Sequence, residues 1–170
     1  MDIRKLTRED SAAFRKLRVE MCRLHPEAFG QTPEEVAEMP EDKFLEWMEP
    51  SSVFPEKYVL GCFDNGELLA TVAFKREDAF KERHRGWIWS VYGRPEARGQ
   101  GIARQLMAKI IENARHMDGL ELLILTVAVT QTGARTLYTS LGFYTTGLIL
   151  QGYKLTDGTY VDHEEMMLRL

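Results

Sequence analysis

One hundred and seventy residues, 44% apolar and 28% charged, fit a globular domain that buries roughly 70% of its unfolded surface, and they exclude disordered and fibrous classes. A net charge of −4 argues against a general nucleic-acid binder that gains affinity by neutralising phosphates. The longest apolar stretch, residues 122–129, falls far short of the ~20 residues of a membrane helix, and the charged start Met1-Asp2-Ile3-Arg4-Lys5 lacks a secretory signal's apolar core, so a cytoplasmic protein with no membrane partner is expected.

No repeat, low-complexity tract or composition break divides the chain, and a single domain over residues 1–170 is expected. Residues 1–6 read as a short strand. Thr7-Arg8-Glu9-Asp10 has the form of a capping box, and Phe14, Leu17, Met21 and Leu24 then recur at helical spacing. That helix stops at His25-Pro26, because the residue before proline avoids the helical region. Residues 27–49 hold eight carboxylates and one lysine, with Pro33 and Pro40 among them, and read as loop followed by a short helix over 42–48. In residues 57–74 two β-rich runs flank Asp64-Asn65-Gly66, a hairpin signal because both turn residues need positive φ. Residues 85–93, with Trp87, Ile88, Trp89, Val91 and Tyr92, make a third strand.

Ile102, Leu106, Ile110 and Ala114 trace the apolar face of a helix that ends near Gly119. Residues 122–129 are nearly all apolar, as a strand covered on both faces would be. A short helix over about 131–141 is stopped by Gly142, and residues 144–155 and 159–170 close the chain as a hairpin around Asp157-Gly158. This order predicts a mixed α/β (α+β) domain. Cys22 and Cys62 lack redox or zinc spacing and read as small buried hydrophobes. The four histidines lie far apart, and no metal site is expected.

The most informative segment is Arg94-Pro95-Glu96-Ala97-Arg98-Gly99-Gln100-Gly101-Ile102-Ala103-Arg104, which joins a predicted strand to a predicted helix. The first N–H groups of a helix have no intrahelical partner, and a glycine-rich entry lets phosphate oxygens reach several at once. Arg98 and Arg104 add positive charge there. A tight turn made only for packing is the competing reading of so short a motif. No Gly-Lys-Ser/Thr run makes a P-loop. Arg104 stands where a dinucleotide fingerprint needs its third glycine, and Glu121 begins the following strand where that fingerprint needs an acid at its end.

The segment Arg98-Gly99-Gln100-Gly101-Ile102-Ala103 resembles the Gln/Arg-x-x-Gly-x-Gly/Ala coenzyme A motif of the GCN5-related N-acetyltransferase (GNAT) family. Downstream, Ala134-Arg135-Thr136-Leu137-Tyr138-Thr139-Ser140-Leu141-Gly142-Phe143 is similar to that family's helix, in which Ala-x-x-Leu-Tyr precedes Leu-Gly-Phe. The motifs cover about residues 91–143, and the likeness in element order runs over the whole chain. It implies a mixed, mostly antiparallel central sheet flanked by helices and splayed between its two central strands. It also implies acetyl-CoA as cofactor and direct acetyl transfer to an amine of a small molecule or peptide.

On this resemblance, the amides of Gly99, Gln100, Gly101, Ile102, Ala103 and Arg104 wrap the pyrophosphate. The pantetheine arm pairs with Ser90-Val91-Tyr92, and an N–H near Val91 or Tyr92 meets the thioester oxygen. Tyr138 is the counterpart of the tyrosine that protonates the leaving thiolate, with ordinary core packing as the alternative. Gln131 stands where many relatives have a cofactor-contacting asparagine.

One departure matters more. Many relatives carry a glutamate base on the strand before the loop, and Trp87-Ile88-Trp89-Ser90-Val91-Tyr92 has no carboxylate. Only a neutral amine attacks a thioester, and a lysine-type amine is neutral in fewer than about 1 in 10³ molecules at pH 7. Glu20, His25, Glu27 or a water chain from Ser90 are the candidate bases, each with a solvated role as its alternative. The missing strand carboxylate also motivates a rival, a non-catalytic acyl-CoA-binding or sensing module. The acidic residues 27–49 either draw in a cationic amine or form a solvated loop. Trp87, Trp89, Phe29 and Tyr153 either line an acceptor cleft or belong to the core, and the last hairpin is a candidate homodimer edge.

Overall fold

Turn chemistry and apolar periodicity place the elements in a computed structural model, which describes residues 1–50 and 56–170. Strand β1 (Asp2–Lys5) passes through a 3-10 turn at Arg8–Asp10 into helix α1 (Ser11–Leu24). The Asp10 carboxylate accepts from the Thr7 N–H at 2.8 Å and from Arg4 at 2.7 Å. These contacts, Arg4 foremost, pull its pKa down to about 2 and anchor the helix entry. Helix α1 ends at His25, whose φ and ψ have left the helical region, as Pro26 dictates.

Residues 27–49 differ from expectation by one element, because α2 (Pro33–Glu38) precedes α3 (Glu41–Met48). The Thr32 hydroxyl accepts from the Glu35 N–H at 3.1 Å, and the Glu35 carboxylate accepts from the Thr32 N–H at 2.7 Å. Pro33 fills the first helical position, which needs no N–H. Only Val36 of α2 is buried, so too little apolar periodicity announces it.

Strands β2 (Lys57–Asp64) and β3 (Glu67–Arg76) form the expected hairpin, with Asn65 at φ 48° and Gly66 at φ 84°. With β4 (Arg85–Gly93), β5 (Leu122–Ala128), β6 (Tyr144–Lys154) and β7 (Tyr160–Arg169) they complete a sheet in the order β1-β2-β3-β4-β5-β7-β6. Every neighbouring pair is antiparallel except β4 and β5. That parallel pair joins only at Arg85–Leu122, Gly86–Leu123 and Trp87–Ile124. Among the described residues, the edge of β4 beyond Trp87 has no partner strand on that side, so the sheet splays between its two central strands.

A bulge in β4 sharpens the opening. Ala73 pairs with Trp89 and Thr71 with Tyr92, while Ser90 takes φ 56°, so the side-chain alternation reverses at Ser90. Ile88 therefore packs with α4 (Ile102–Arg115) and α5 (Thr132–Ser140) on one face, among Leu106, Ile110, Leu123 and Tyr138. Trp89 and Tyr92 pack with α1, α2 and α3 on the other, among Leu17, Val36 and Phe44. Among the described residues, no helix is long and apolar enough to cross a membrane.

The short β4–β5 junction depends on a close approach at Gly86. A Cβ there would stand 2.5 Å from the Phe74 ring and 3.2 Å from a Leu123 methyl. Gly86→Ala is expected to cost about 1–3 kcal/mol through overpacking, seen in urea unfolding as a lower midpoint at unchanged slope.

Candidate active site

Where β4 and β5 part, a cavity of about 680 Å³ opens, walled by residues 88–93 of β4, 125–128 of β5, the 28–31 loop, the turn before α4 and one face of α5. Gly99 and Gly101 in that turn take φ 76° and 73°, and a Cβ at either would meet nothing within 4 Å. Gly101 is the N-cap of α4. The Arg98 N–H is bound to the Pro95 carbonyl at 3.2 Å, and the Gln105 N–H closes on Gly101 at 3.0 Å. Among the described residues, the N–H groups of 99–104 in between find no acceptor in the chain. A row of unpaired donors at the positive end of a 14-residue helix suits a diphosphate.

Arg98, Gly99, Gly101, Ile102, Ala103 and Arg104 all line the cavity. Gln100 does not, since its side chain turns back to the Glu96 carbonyl at 3.2 Å. The Arg104 guanidinium is braced against the Ser140 hydroxyl at 2.6 Å. Unpaired main-chain donors, two flanking guanidinium groups and open space at both glycines suit the chemistry of a phosphate-bearing ligand such as acetyl-CoA.

Val91, Tyr92, Gln131 and Tyr138 complete the set of expected residues on the cavity wall. Tyr138 is buried, with its ring 6.1 Å from that of Phe143. Burial raises its pKa well above the ordinary phenol range, because desolvation penalises the phenolate. Among the described residues its hydroxyl has no hydrogen-bond partner. Tyr92, by contrast, donates to Glu20 at 2.8 Å, and its pKa is raised by burial and by that carboxylate.

The structure separates the candidate bases. Glu20 is engaged by Tyr92 and by Arg94 at 3.3 Å and stands off the cavity wall. Glu27 also stands off it and accepts from the Gln131 side chain. Ser90 lines the cavity, but its hydroxyl accepts from Arg18 at 2.8 Å. His25 lines the cavity with Nε2 3.0 Å from an Arg98 nitrogen and Nδ1 3.5 Å from Glu27. Arginine only donates, so Nε2 accepts from Arg98, while Nδ1 stands between the Gln131 side-chain nitrogen at 3.2 Å and the Glu27 carboxylate.

Phe29, Trp89 and Tyr153 line the opposite wall, whereas Trp87 lies outside it. The acidic stretch adds no charge to the cavity, because residues 28–31, its share of the lining, are Ala28, Phe29, Gly30 and Gln31. Its carboxylates serve elsewhere: Glu35 caps α2, Glu41 pairs with Arg15 and Glu49 with Arg8.

Sequence reasoning passed over Arg18. It sits in the buried stripe Phe14, Leu17, Arg18, Met21, Cys22 of α1, and a lone cation in an apolar stripe was the available signal.

A family model described as "Acetyltransferase (GNAT) family" matches residues 18–143. Among solved structures, the chain is 23% identical to a GCN5-related N-acetyltransferase from Kribbella flavida, over 99% of this chain and 97% of that one, with a TM-score of 0.83. It is 22% identical to an acetyltransferase of the GNAT family from Streptococcus pneumoniae, over 99% of each chain, with a TM-score of 0.78. It is 24% identical to yncA from Salmonella typhimurium, solved with its cofactor acetyl-CoA, over 100% of this chain and 94% of that one, with a TM-score of 0.76. At these identities the likeness carries the fold. No curated protein matches the chain by sequence.

Proposed function

The chain belongs to the acetyltransferase (GNAT) family, whose members use acetyl-CoA, and we propose accordingly that it moves the acetyl group directly to the amine of a small molecule or peptide. The row of unpaired N–H groups over residues 99–104, opening into the cleft between β4 and β5, carries this reading. Acetyl-CoA supplies an acetyl group already activated as a thioester.

The amides of Gly99 to Arg104 bind the diphosphate, with Arg98 and Arg104 adding charge. The backbone of Val91 and Tyr92, free of β5 on that side, orients the arm, and an N–H there meets the negative charge that develops on the carbonyl oxygen. Gln131, linking His25 and Glu27 across the cavity mouth, shapes the entrance. As the amine nitrogen bonds to the acyl carbon and the carbon–sulfur bond breaks, two protons move. The Tyr138 hydroxyl gives its proton to the sulfur, and His25 Nε2 takes the one leaving nitrogen, imidazole being the side chain suited to that exchange near neutrality. His25 is preferred because, of the candidates on the cavity wall, it is the one whose side chain can take up a proton as a neutral base, Ser90 being a hydroxyl held by the buried Arg18.

A sensing module remains the competing reading, supported by the lack of any carboxylate among the described lining residues. Thiol release from acetyl-CoA, with and without a panel of amines, decides between them. Amine-dependent release is expected, with His25→Gln lowering kcat while calorimetric acetyl-CoA affinity stays close to wild type. Saturable acetyl-CoA binding with no release on any amine would favour the sensor.

The proposed setting is the cytoplasm, in keeping with two free, buried cysteines. A homodimer through β6 is likewise proposed. Leu148 and Leu150 on that edge strand are 55% and 69% exposed, an apolar edge that a second copy would cover.

A further inference from the structure

Two arginines are buried, and they are treated differently. Arg94 is met by three carboxylates, those of Glu20, Glu67 and Glu96. Arg18 is 3% exposed and has none among the described residues. The undescribed residues, Ser51-Ser52-Val53-Phe54-Pro55, include no acid. Its Nη1 donates to the Ser90 hydroxyl and its Nη2 to the Gln31 side-chain oxygen, each at 2.8 Å. Both acceptors are neutral. Nε is buried without a partner, so three of the five N–H donors of the guanidinium are unspent.

The faces of Trp47, 4.5 Å away, and Phe14, 5.9 Å away, ease the burial of the charge without neutralising it. Desolvation lowers the pKa of Arg18 only to about 10, which leaves it cationic near neutrality. A buried cation without a counter-ion is costly to the fold. This one also lines the cavity.

Resting on the reading of the cavity as an acetyl-transfer site, we propose that the acceptor is an amine bearing its own carboxylate, as an α-amino acid does, and that Arg18 binds that carboxylate. The position fits this class. Ser90, held by Arg18, immediately precedes Val91, at the bulge where β4 has lost its neighbour. In an α-amino acid the nitrogen lies two bonds from the carboxyl carbon, so a carboxylate on Arg18 keeps the nitrogen beside that segment of strand. Phe29, Trp89 and Tyr153 on the same wall receive an apolar or aromatic side chain. A polyamine or aminoglycoside would bring further cations to a wall that offers a cation and no carboxylate.

The test uses matched acceptors in threes: L-phenylalanine, its carboxamide and phenethylamine, with the same sets built on leucine and methionine. In thiol-release assays the acid is expected to exceed the amide in kcat/KM by about 100-fold. Arg18→Met is expected to bring that ratio to about 1 while calorimetric acetyl-CoA affinity stays within about twofold. Its Tm is expected not to fall, because an unpaired buried charge is replaced by an apolar chain; a merely structural arginine would lower Tm. Arg18→Lys, which keeps the charge and loses the fork, is expected to retain part of the preference.

Equal rates for acid and amide would overturn the carboxylate site and leave acetyl transfer standing. If none of the nine amines is turned over, the same ranking is read from binding to acetyl-CoA-loaded protein, and an acid no tighter than its amide overturns the proposal. Failure of acetyl-CoA itself to bind would instead remove the transfer reading.

Discussion

Gly101→Asp is expected to abolish acetyl-CoA binding while leaving the protein folded. The residue stands at φ 73° with no atom within 4 Å of a built Cβ, and aspartate is one of the few L residues that enters the left-handed region at modest cost. Its carboxylate would then sit against the N–H groups of 102–104, satisfying them in place of the diphosphate. A like charge about 4 Å from a phosphate oxygen costs on the order of 4 kcal/mol near a protein surface, or about 10³-fold in affinity. Calorimetry should show no saturable heat, with circular dichroism and Tm close to wild type. Gly101→Ala, which adds the backbone penalty without the charge, should bind only several-fold more weakly. Unchanged affinity in the aspartate variant would place the diphosphate elsewhere.

Tyr138→Phe is expected to lower kcat by about 10²-fold, at the modest end for a lost general acid because a thiolate already leaves readily. The substitution removes one oxygen and keeps the ring packed near Phe143, so acetyl-CoA affinity should not change. Burial holds the Tyr138 pKa above its ordinary value, and the wild-type rate should therefore show no loss from phenol ionisation between pH 6 and 9. The same shift has a stability consequence. A phenol whose native pKa exceeds the unfolded value near 10 contributes fully below about pH 10, and that contribution is lost as pH rises towards the native pKa. Tyr138→Phe should accordingly be less sensitive to alkaline unfolding than wild type. An undiminished kcat would return the residue to the core.

The elements with strong periodicity or turn chemistry were legible in the sequence itself. The Asp64-Asn65-Gly66 hairpin, the stop at Pro26 and the helix beginning at Ile102 lie where local rules put them, because each is decided within a few residues. Helix α2 escaped because six residues with one buried side chain carry little periodicity, although Thr32-Pro33-Glu34-Glu35 spelled its cap. The glycine turn was legible as a motif, since its donors are main-chain groups set by φ.

The opposite wall was legible only as a choice for its aromatics, Phe29, Trp89 and Tyr153, and not in its charge. Arg18 meets Gln31 thirteen residues away and Ser90 seventy-two residues away, and no local rule brings these together. The acidic stretch, open to reading as an amine attractant or a solvated loop, was undecided for the same reason, its charges being spent on a cap, on Arg15 of α1 and on Arg8 of the turn before it, which only the tertiary fold makes adjacent.

The reversal of side-chain direction at Ser90 has an evolutionary consequence. Because Trp89 and Val91 face opposite cores across one strand, the chain works as a bulkhead: α1 and the 28–31 loop can be rewritten for a new acceptor without repacking the compartment proposed to hold the coenzyme. Paired substitutions on the two sides of that divide should combine additively, and descendants of this scaffold should differ in diet more readily than in fuel.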